Sequence, residues 1–201
     1  MELNNKLIMG KMEKYLLSIS GLLVEDINLS LQFFEPIYLK KGDLFIQENK
    51  VCQYIGFIAQ GAIKAYSTDE DDKENITCFK FENEFVTSFS EFVSQQNSKR
   101  NIRVIEDSII YRINHVDYLY LLDKVPAWND VLKSVLEKEY NQKERYLLNY
   151  NNKSALEKYN YMLLNEPMLI KRVTTQDLAS YLGITQRSLT RAKGQIHKNT
   201  L

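Results

Sequence analysis

The sequence predicts an α+β protein: a small antiparallel β-roll or jelly-roll barrel, one long helix, and a helical C-terminal segment that ends in a helix-turn-helix. Three observations predict it. Between Leu31 and Ile113, short runs rich in Ile, Val, Phe, Tyr and Thr alternate with turn signals. From Pro126 to Tyr150, apolar residues recur at intervals of three and four. From Val173 to Arg191 the chain reads as two short helices around Gly183, the second carrying polar and basic side chains.

The first 30 residues or so read as helical. Leu16, Leu17, Leu22 and Leu23 are interrupted by Ser20-Gly21, which divides the segment into two short helices. Strands follow over Phe33–Leu39, Leu44–Gln47, Gln53–Ile58, Ala62–Tyr66, Asn75–Phe81, Arg100–Ile105 and Ser108–Ile113. Lys41-Gly42-Asp43, Glu48-Asn49, Gln60-Gly61, the acidic tip Asp69-Glu-Asp-Asp72, and Glu106-Asp107 are the turns between them; Gln60-Gly61 reads as a hairpin turn. His115 starts a short helix over Val116–Leu122.

Pro126 suits a first helical turn. The helix it opens would be about 37 Å long at ~1.5 Å per residue. Leu132, Leu136, Tyr140, Lys143, Leu147 and Tyr150 form its stripe. Such a stripe can pair with its own copy as a parallel coiled coil, with Lys143 fixing register; the alternative is packing on its own barrel. The dimer is favoured, because helix-turn-helix proteins commonly read two half-sites with two subunits. The predicted interface is Leu132, Leu136, Tyr140, Lys143 and Leu147. Ser154-Ala-Leu-Glu157 is a capping box, so a new helix starts there and runs to about Asn165, stopping at Pro167. Asn149–Lys153 is the expected hinge. The domain reading is therefore residues 1–125 as a sensor, 126–150 as a dimerisation helix and 151–201 as a DNA-binding domain.

In the last segment Thr174 or Thr175 can cap the first helix. Leu178, Ala179 and Leu182 share one buried face, Gly183 supplies the turn, Ile184 plugs the space between helices, Thr185 caps the second helix and Leu189 turns inward. Gln186, Arg187, Ser188, Thr190 and Arg191 are left facing outward. Arginine can grip guanine through two hydrogen bonds, and glutamine can do the same for adenine; serine and threonine can hold phosphates. Between Lys171 and Lys198 the basic residues are Lys171, Arg172, Arg187, Arg191, Lys193 and Lys198, against the single acid Asp177. The whole chain has 26 basic and 26 acidic residues, so the remainder is acidic on balance. A local phosphate-binding face would produce that distribution. The plainer alternative is a helical hairpin with a solvated basic face. The ordered set of small residue, glycine, apolar plug and outward arginines favours a reader of double-stranded DNA, with Thr174, Thr175, Thr185, Gln186, Arg187, Ser188, Thr190, Arg191 and Lys193 as its contact residues.

Composition narrows the class. No apolar run approaches the roughly 20 residues needed to span a bilayer. Met1 to Lys14 lacks the apolar core of a signal peptide, so a cytoplasmic protein is expected. Cys52 and Cys78 are the only cysteines and lie far apart, unlike a zinc or cluster cradle, and a disulfide is not expected in the cytosol. His115 and His197 stand alone, without H-x-H or H-E-x-x-H spacing. No metal, cofactor or enzymatic activity is predicted. A cupin-like barrel enzyme is disfavoured because the barrel has no histidine and no ligand-like carboxylate cluster.

Barrel, long helix, capping-box helix and helix-turn-helix come in the order used by the cyclic-AMP receptor protein/Fnr family of bacterial transcription regulators, which the whole chain resembles. The matching stretches are Leu39-Lys-Lys-Gly42-Asp43, Ile58-Ala-Gln-Gly61-Ala-Ile-Lys-Ala-Tyr66 and, most sharply, Leu178-Ala-Ser-Tyr-Leu-Gly-Ile-Thr-Gln-Arg-Ser-Leu-Thr-Arg191. The resemblance implies a barrel of the cyclic-nucleotide-binding type. It also implies base reading by Gln186, Arg187 and Arg191, with Thr185 and Ser188 on phosphates. Family members that respond to cyclic nucleotides hold the phosphate with an arginine and a neighbouring hydroxyl, and the ribose with a Gly-Glu pair. Here Arg100 stands at the arginine position, Asn101 replaces the hydroxyl residue, and Thr87-Ser88 replace the Gly-Glu pair unless the register shifts to bring in Glu91. Thr87, Ser88, Arg100 and Asn101 are therefore the candidate ligand residues, in a site not expected to serve cyclic AMP. Arg100 binds another anion or pairs with surface acids, and the latter is preferred. An iron–sulfur version needs about four cysteines, and no histidine is placed for haem. The chain ends at Leu201, soon after the recognition helix, so the β-hairpin wing common in the family is expected to be absent or vestigial, with Gly194 marking the helix end.

The resulting reading is a homodimeric regulator of transcription that reads a palindromic operator and is not controlled by cyclic AMP. A small-molecule effector and RNA polymerase are further partners it leaves open. The alternative is a ligand-binding or adaptor protein whose helix-turn-helix is degenerate; two exposed arginines on one short helix argue against it.

Overall fold

The computed structural model describes the backbone of residues 2–19 and 21–199 and the side chains of residues 10–19 and 21–196. Ser20 of the expected Ser20-Gly21 break, and the end of the chain at Leu201, lie outside the described residues, as do the side chains of His197 and Lys198. The helices α1 (Glu2–Leu17) and α2 (Val24–Leu31) come first. The strands β1 (Glu35–Leu39), β2 (Leu44–Ile46), β3 (Tyr54–Gln60), β4 (Ile63–Thr68), β5 (Glu74–Lys80) and β6 (Phe85–Val86) follow. Next come α3 (Phe89–Ser94), β7 (Asn101–Val104), β8 (Ser108–Asn114), α4 (His115–Lys124) and α5 (Trp128–Tyr150). The chain finishes with α6 (Ala155–Asn165), α7 (Pro167–Arg172), α8 (Thr175–Tyr181) and α9 (Gln186–Asn199). No described helix is long and apolar enough to cross a membrane.

Strands adjacent in sequence mostly lie in different sheets. One four-stranded sheet has the order β1-β8-β3-β6 and the other β2-β7-β4-β5. The pairs β1–β8, β3–β8, β3–β6, β2–β7 and β4–β7 are antiparallel. This corrects the reading of Gln60-Gly61 as a hairpin turn: β3 and β4 do not pair, and the turn carries the chain from one sheet to the other. Each strand is taken by a partner distant in sequence, β3 by β8 and β4 by β7. Gly61 has φ +100°, and a Cβ there would collide with the side chain and Cα of Ser108, at the start of β8. Glu106-Asp107 makes the same crossing between β7 and β8, where Asp107 accepts from the Lys41 amide at 2.9 Å and ties two corners together. Four further elements differ from the sequence reading. β6 and α3 were not expected, and Pro167 opens α7 as a first-turn proline instead of merely ending α6. α9 runs through Gly194 to Asn199, so Gly194 does not mark its end.

The contacts group the chain into two compact units, Met1–Ser67 with Phe79–Glu137 and Thr68–Cys78 with Lys138–Leu201. An aromatic cluster anchors the first. Phe57 and Phe85 meet edge to face at 5.2 Å, Phe34 stacks on Trp128 at 5.8 Å, and the Trp128 indole donates to the buried Ser30 hydroxyl. Met12 and Leu16 of α1 are fully buried.

In the second unit, tyrosines do the equivalent work. Tyr150, fully buried, meets Tyr146, Tyr161 and Tyr181 at ring distances of 5.2, 5.5 and 6.0 Å. Its hydroxyl donates to Glu166 at 3.0 Å, and the Tyr146 hydroxyl donates to the Tyr181 carbonyl at 2.8 Å. Tyr150 thereby leaves the stripe that sequence periodicity gave it. Residues 68–78, around the tip between β4 and β5, belong to this same unit. There Ser180 of α8 accepts from the Ile76 amide at 3.2 Å and donates to the Glu74 carbonyl at 2.7 Å.

Both interiors can be tested by substitution. Gly61→Ala should destabilise the protein by about 2 kcal/mol or more, because the new Cβ meets Ser108 and the backbone stays in a left-handed conformation; urea unfolding measures it, and an unchanged midpoint would contradict the crossing geometry. Glu166 has its carboxyl raised above the ordinary range by burial, an effect offset in part by the Tyr150 hydroxyl and Arg145. Tyr150 and Tyr181, which face it, are raised by burial and stay neutral. A raised acid stabilises the fold fully below its unfolded pKa, about 4.3, and that stability is lost as pH rises through the folded value. Glu166→Gln keeps an acceptor for Tyr150, so its stability relative to the parent should increase as pH rises above about 4. Parallel pH profiles of the urea midpoint for the two proteins would refute the assignment.

Candidate nucleic-acid interface

The helix pair α8–α9 is built on local chemistry. Thr174 caps α8, its hydroxyl accepting from the Asp177 amide at 3.1 Å. α8 ends in a Schellman closure: Gly183, at φ +62°, donates to the Ser180 carbonyl, and the Ile184 amide donates to the Ala179 carbonyl, both at 3.0 Å. The Lys158 ammonium closes the same end, donating to the Leu182 carbonyl at 2.7 Å. Thr185 caps α9, accepting from the Ser188 amide at 3.1 Å and donating to the Ser188 hydroxyl at 2.9 Å. Leu178, Leu182 and Leu189 are fully buried and Ala179 and Ala192 nearly so; together they form the seam between the two helices. Burial of each leucine contributes roughly 1.5–3 kcal/mol.

With that seam inward, the 3.6-residue period leaves Gln186, Arg187, Thr190, Arg191, Gly194 and Gln195 exposed. The Thr190 hydroxyl donates back to the Gln186 carbonyl at 2.9 Å. Among the described residues the Arg187 and Arg191 guanidinium groups make no hydrogen bond or ion pair, so both forks remain available to a ligand. Lys193 departs from this outward set. It is half-buried, donates to the Thr175 hydroxyl at 3.0 Å and lies 5.8 Å from the centre of the Tyr159 ring, so it links α9 to α8 and α6. Thr174, Thr175, Thr185 and Ser188 are likewise engaged within the unit. Lys158 is a functional-looking cation that sequence reasoning passed over; its carbonyl partner lies 24 residues away, and no local signal points to it.

The stripe expected to pair two copies is on the surface of this chain. Leu136 is 40%, Leu147 55% and Tyr140 67% exposed; Lys143 is also exposed, and Leu132 is half-buried. Leu148 lies beside the stripe and is 70% exposed.

Three of the barrel's candidate ligand positions are committed to partners within the protein. The Ser88 hydroxyl donates to Glu91 at 2.6 Å, with both residues buried. The Thr87 hydroxyl donates to the Tyr54 carbonyl at 2.8 Å, leaving the buried Cys52 thiol to donate to Thr87 at 3.4 Å; burial raises that thiol's pKa. Asn101 accepts from the Glu48 amide at 2.9 Å and donates to the Glu48 carboxylate at 3.1 Å. Arg100 is half-buried, its backbone pinned by Ser98, whose hydroxyl donates to the Arg100 carbonyl at 2.7 Å. Its guanidinium makes no hydrogen bond or ion pair among the described residues.

Residues 36–125 match the family model described as the cyclic nucleotide-binding domain. No curated protein matches the chain. Several solved structures share its fold. FixK2 from Bradyrhizobium japonicum is 18% identical, over 83% of this chain and 86% of that one, with a TM-score of 0.71. The c-di-GMP responsive global regulator CLP from Xanthomonas campestris is 15% identical over 89% and 94%, with a TM-score of 0.72. A CooA mutant from Carboxydothermus hydrogenoformans is 14% identical over 90% and 86%, with a TM-score of 0.68.

Proposed function

We propose that the protein is a homodimeric regulator of transcription that reads a palindromic operator in double-stranded DNA through α9. The observation that carries this is the outward face of α9. Two arginines and a glutamine stand within its first two turns, on a helix whose other side is sealed by Leu189 and Ala192. Nothing in the seam needs those arginines, and their chemistry suits guanine edges, as that of Gln186 suits adenine. The shared fold with CLP, which is named as a global regulator, adds support.

The exposed stripe Leu136, Tyr140 and Leu147, with Leu132 and Lys143, is assigned to the dimer. Two copies of α9 would then enter successive major grooves about 34 Å apart. Residues 1–125 serve as sensor, 126–150 as dimerisation helix and 151–201 as DNA reader. Control by cyclic AMP is not part of the proposal, because Ser88 with Glu91 and Asn101 with Glu48 already satisfy one another where such a ligand would need them.

Selection of fragments from sheared genomic DNA by the purified protein tests the reading. A palindromic motif should be enriched, and an Arg187→Ala/Arg191→Ala double variant should lose it. Singly, each arginine change should cost roughly 1–3 kcal/mol of operator binding and relax base preference at its position; variants that bind every duplex as the parent does would end the recognition-helix assignment. Leu136→Asp and Leu147→Asp should each yield a monomer on gel filtration, and a variant that stays dimeric would place the dimer contact elsewhere.

A further inference from the structure

Gly194 sits on the face of α9 that carries Arg187 and Arg191. Its backbone is ordinary α-helix, without positive φ, and a Cβ built there meets no heavy atom within 4 Å among the described residues. No turn, close packing or special conformation therefore calls for glycine. Yet glycine is the worst helix former after proline, and this one lies inside a helix that continues to Asn199. Seven residues separate it from Arg187 and three from Arg191, so all three project from one face while Leu189, Ala192 and Lys193 project from the other.

We infer that Gly194 is a DNA-contact position, where the bare helix backbone passes the sugar–phosphate rim of the major groove. The inference rests on the DNA reading proposed above. A recognition helix puts its first residues on the base edges. Gly194 lies eight residues beyond Gln186, about 12 Å along the axis at ~1.5 Å per residue. The groove is only about 8.5 Å deep. A helix that starts at its floor therefore brings its third turn to the rim, where a projecting side chain meets the phosphate wall. Glycine there lets the helix lie deeper and at a lower tilt, so that Arg187 and Arg191 reach the bases. Because the contact is with the backbone of the duplex, it is independent of sequence; because it is uncharged, it releases no counterions.

Gly10 of α1 provides a matched control: it too is helical, with ordinary φ and no heavy atom of the described residues within 4 Å of a built Cβ. The experiment compares the parent, Gly10→Ala, Gly194→Ala and Gly194→Leu in full-length protein. Melting temperature is measured, together with binding to one duplex selected by the parent from a random-sequence pool and to one unrelated duplex, over a range of salt. Both alanine variants should melt about 2–4 °C higher than the parent. Gly10→Ala should bind both duplexes as the parent does. Gly194→Ala should bind each about tenfold more weakly, Gly194→Leu more weakly still, and all with the parent's salt slope. Gly194→Ala binding as tightly as the parent would overturn the inference and leave the DNA reading intact. Melting of Gly194→Ala below the parent would also overturn it, by showing that the glycine serves the fold. A parent that selects no duplex and binds neither would sink the DNA reading itself.

Discussion

The apolar seam between α8 and α9 governs what the second unit can present. Leu178, Ala179 and Leu182 of the first helix and its turn, and Leu189 and Ala192 of the second, are all buried in it. A helix turns 100° per residue, so once Leu189 and Ala192 are fixed inward the outward set is fixed as well. The Schellman closure at Gly183 sets where α8 stops, and Thr185 sets where α9 starts. Lys158 on the Leu182 carbonyl and Lys193 on Thr175 then brace the pair from either side. The basic residues of this unit thus play two parts. Lys158 and Lys193 hold helices together, while Arg187 and Arg191 are held out from them.

The long helix α5 serves two environments along one length. Near its end Tyr146 and Tyr150, four residues apart, turn into the second unit's aromatic cluster. Leu136, Tyr140 and Leu147 lie on an adjoining stripe and remain exposed. A tyrosine suits the first environment because its ring fills space while its hydroxyl finds a partner; Tyr150 finds Glu166, at the joint of α6 and α7. Partial burial of the Glu166 carboxyl disfavours its charged form, so the stability this corner contributes falls as pH rises.

What the sequence made legible was local. Helix caps at Ser154 and Thr185, a cap at Thr174 or Thr175, the turn glycine at Gly183 and the period of α9 all act within a few residues; Ser154, Thr185 and Gly183 stand where the pattern put them, and Thr174 is the one of the two threonines that caps. Strand positions were legible for the same reason. Strand partners were not: β3 lies beside β8 across some fifty residues, and no dipeptide at Gln60-Gly61 announces that its two flanking strands part company. The two residues of β6 are too few to show alternation, and α3 is six residues that end with a left-handed Gln95. Pro167 was ambiguous in principle, since a proline both ends one helix and favours the first turn of the next. On α9, outward arginines followed from helical period alone. The inward turn of Lys193 did not, because Thr175 and Tyr159 are distant in sequence and approach only after the three helices pack.

The strand-rich unit obeys the same logic of satisfied groups. Polar side chains at the candidate ligand positions already have partners: Ser88 with Glu91, Asn101 with Glu48, Thr87 with a carbonyl of β3. A ligand entering there must break those bonds, and burial makes each broken bond expensive unless the ligand replaces it. Only a molecule whose own donors and acceptors outperform the internal pairs could occupy the cassette. Such a molecule would have to open the Ser88–Glu91 bond at the start of α3 and the Asn101–Glu48 bond that ties β7 to the turn after β2. Arg100, which makes no such pair among the described residues, is the one group in the cassette that could engage an anion without first giving up a partner.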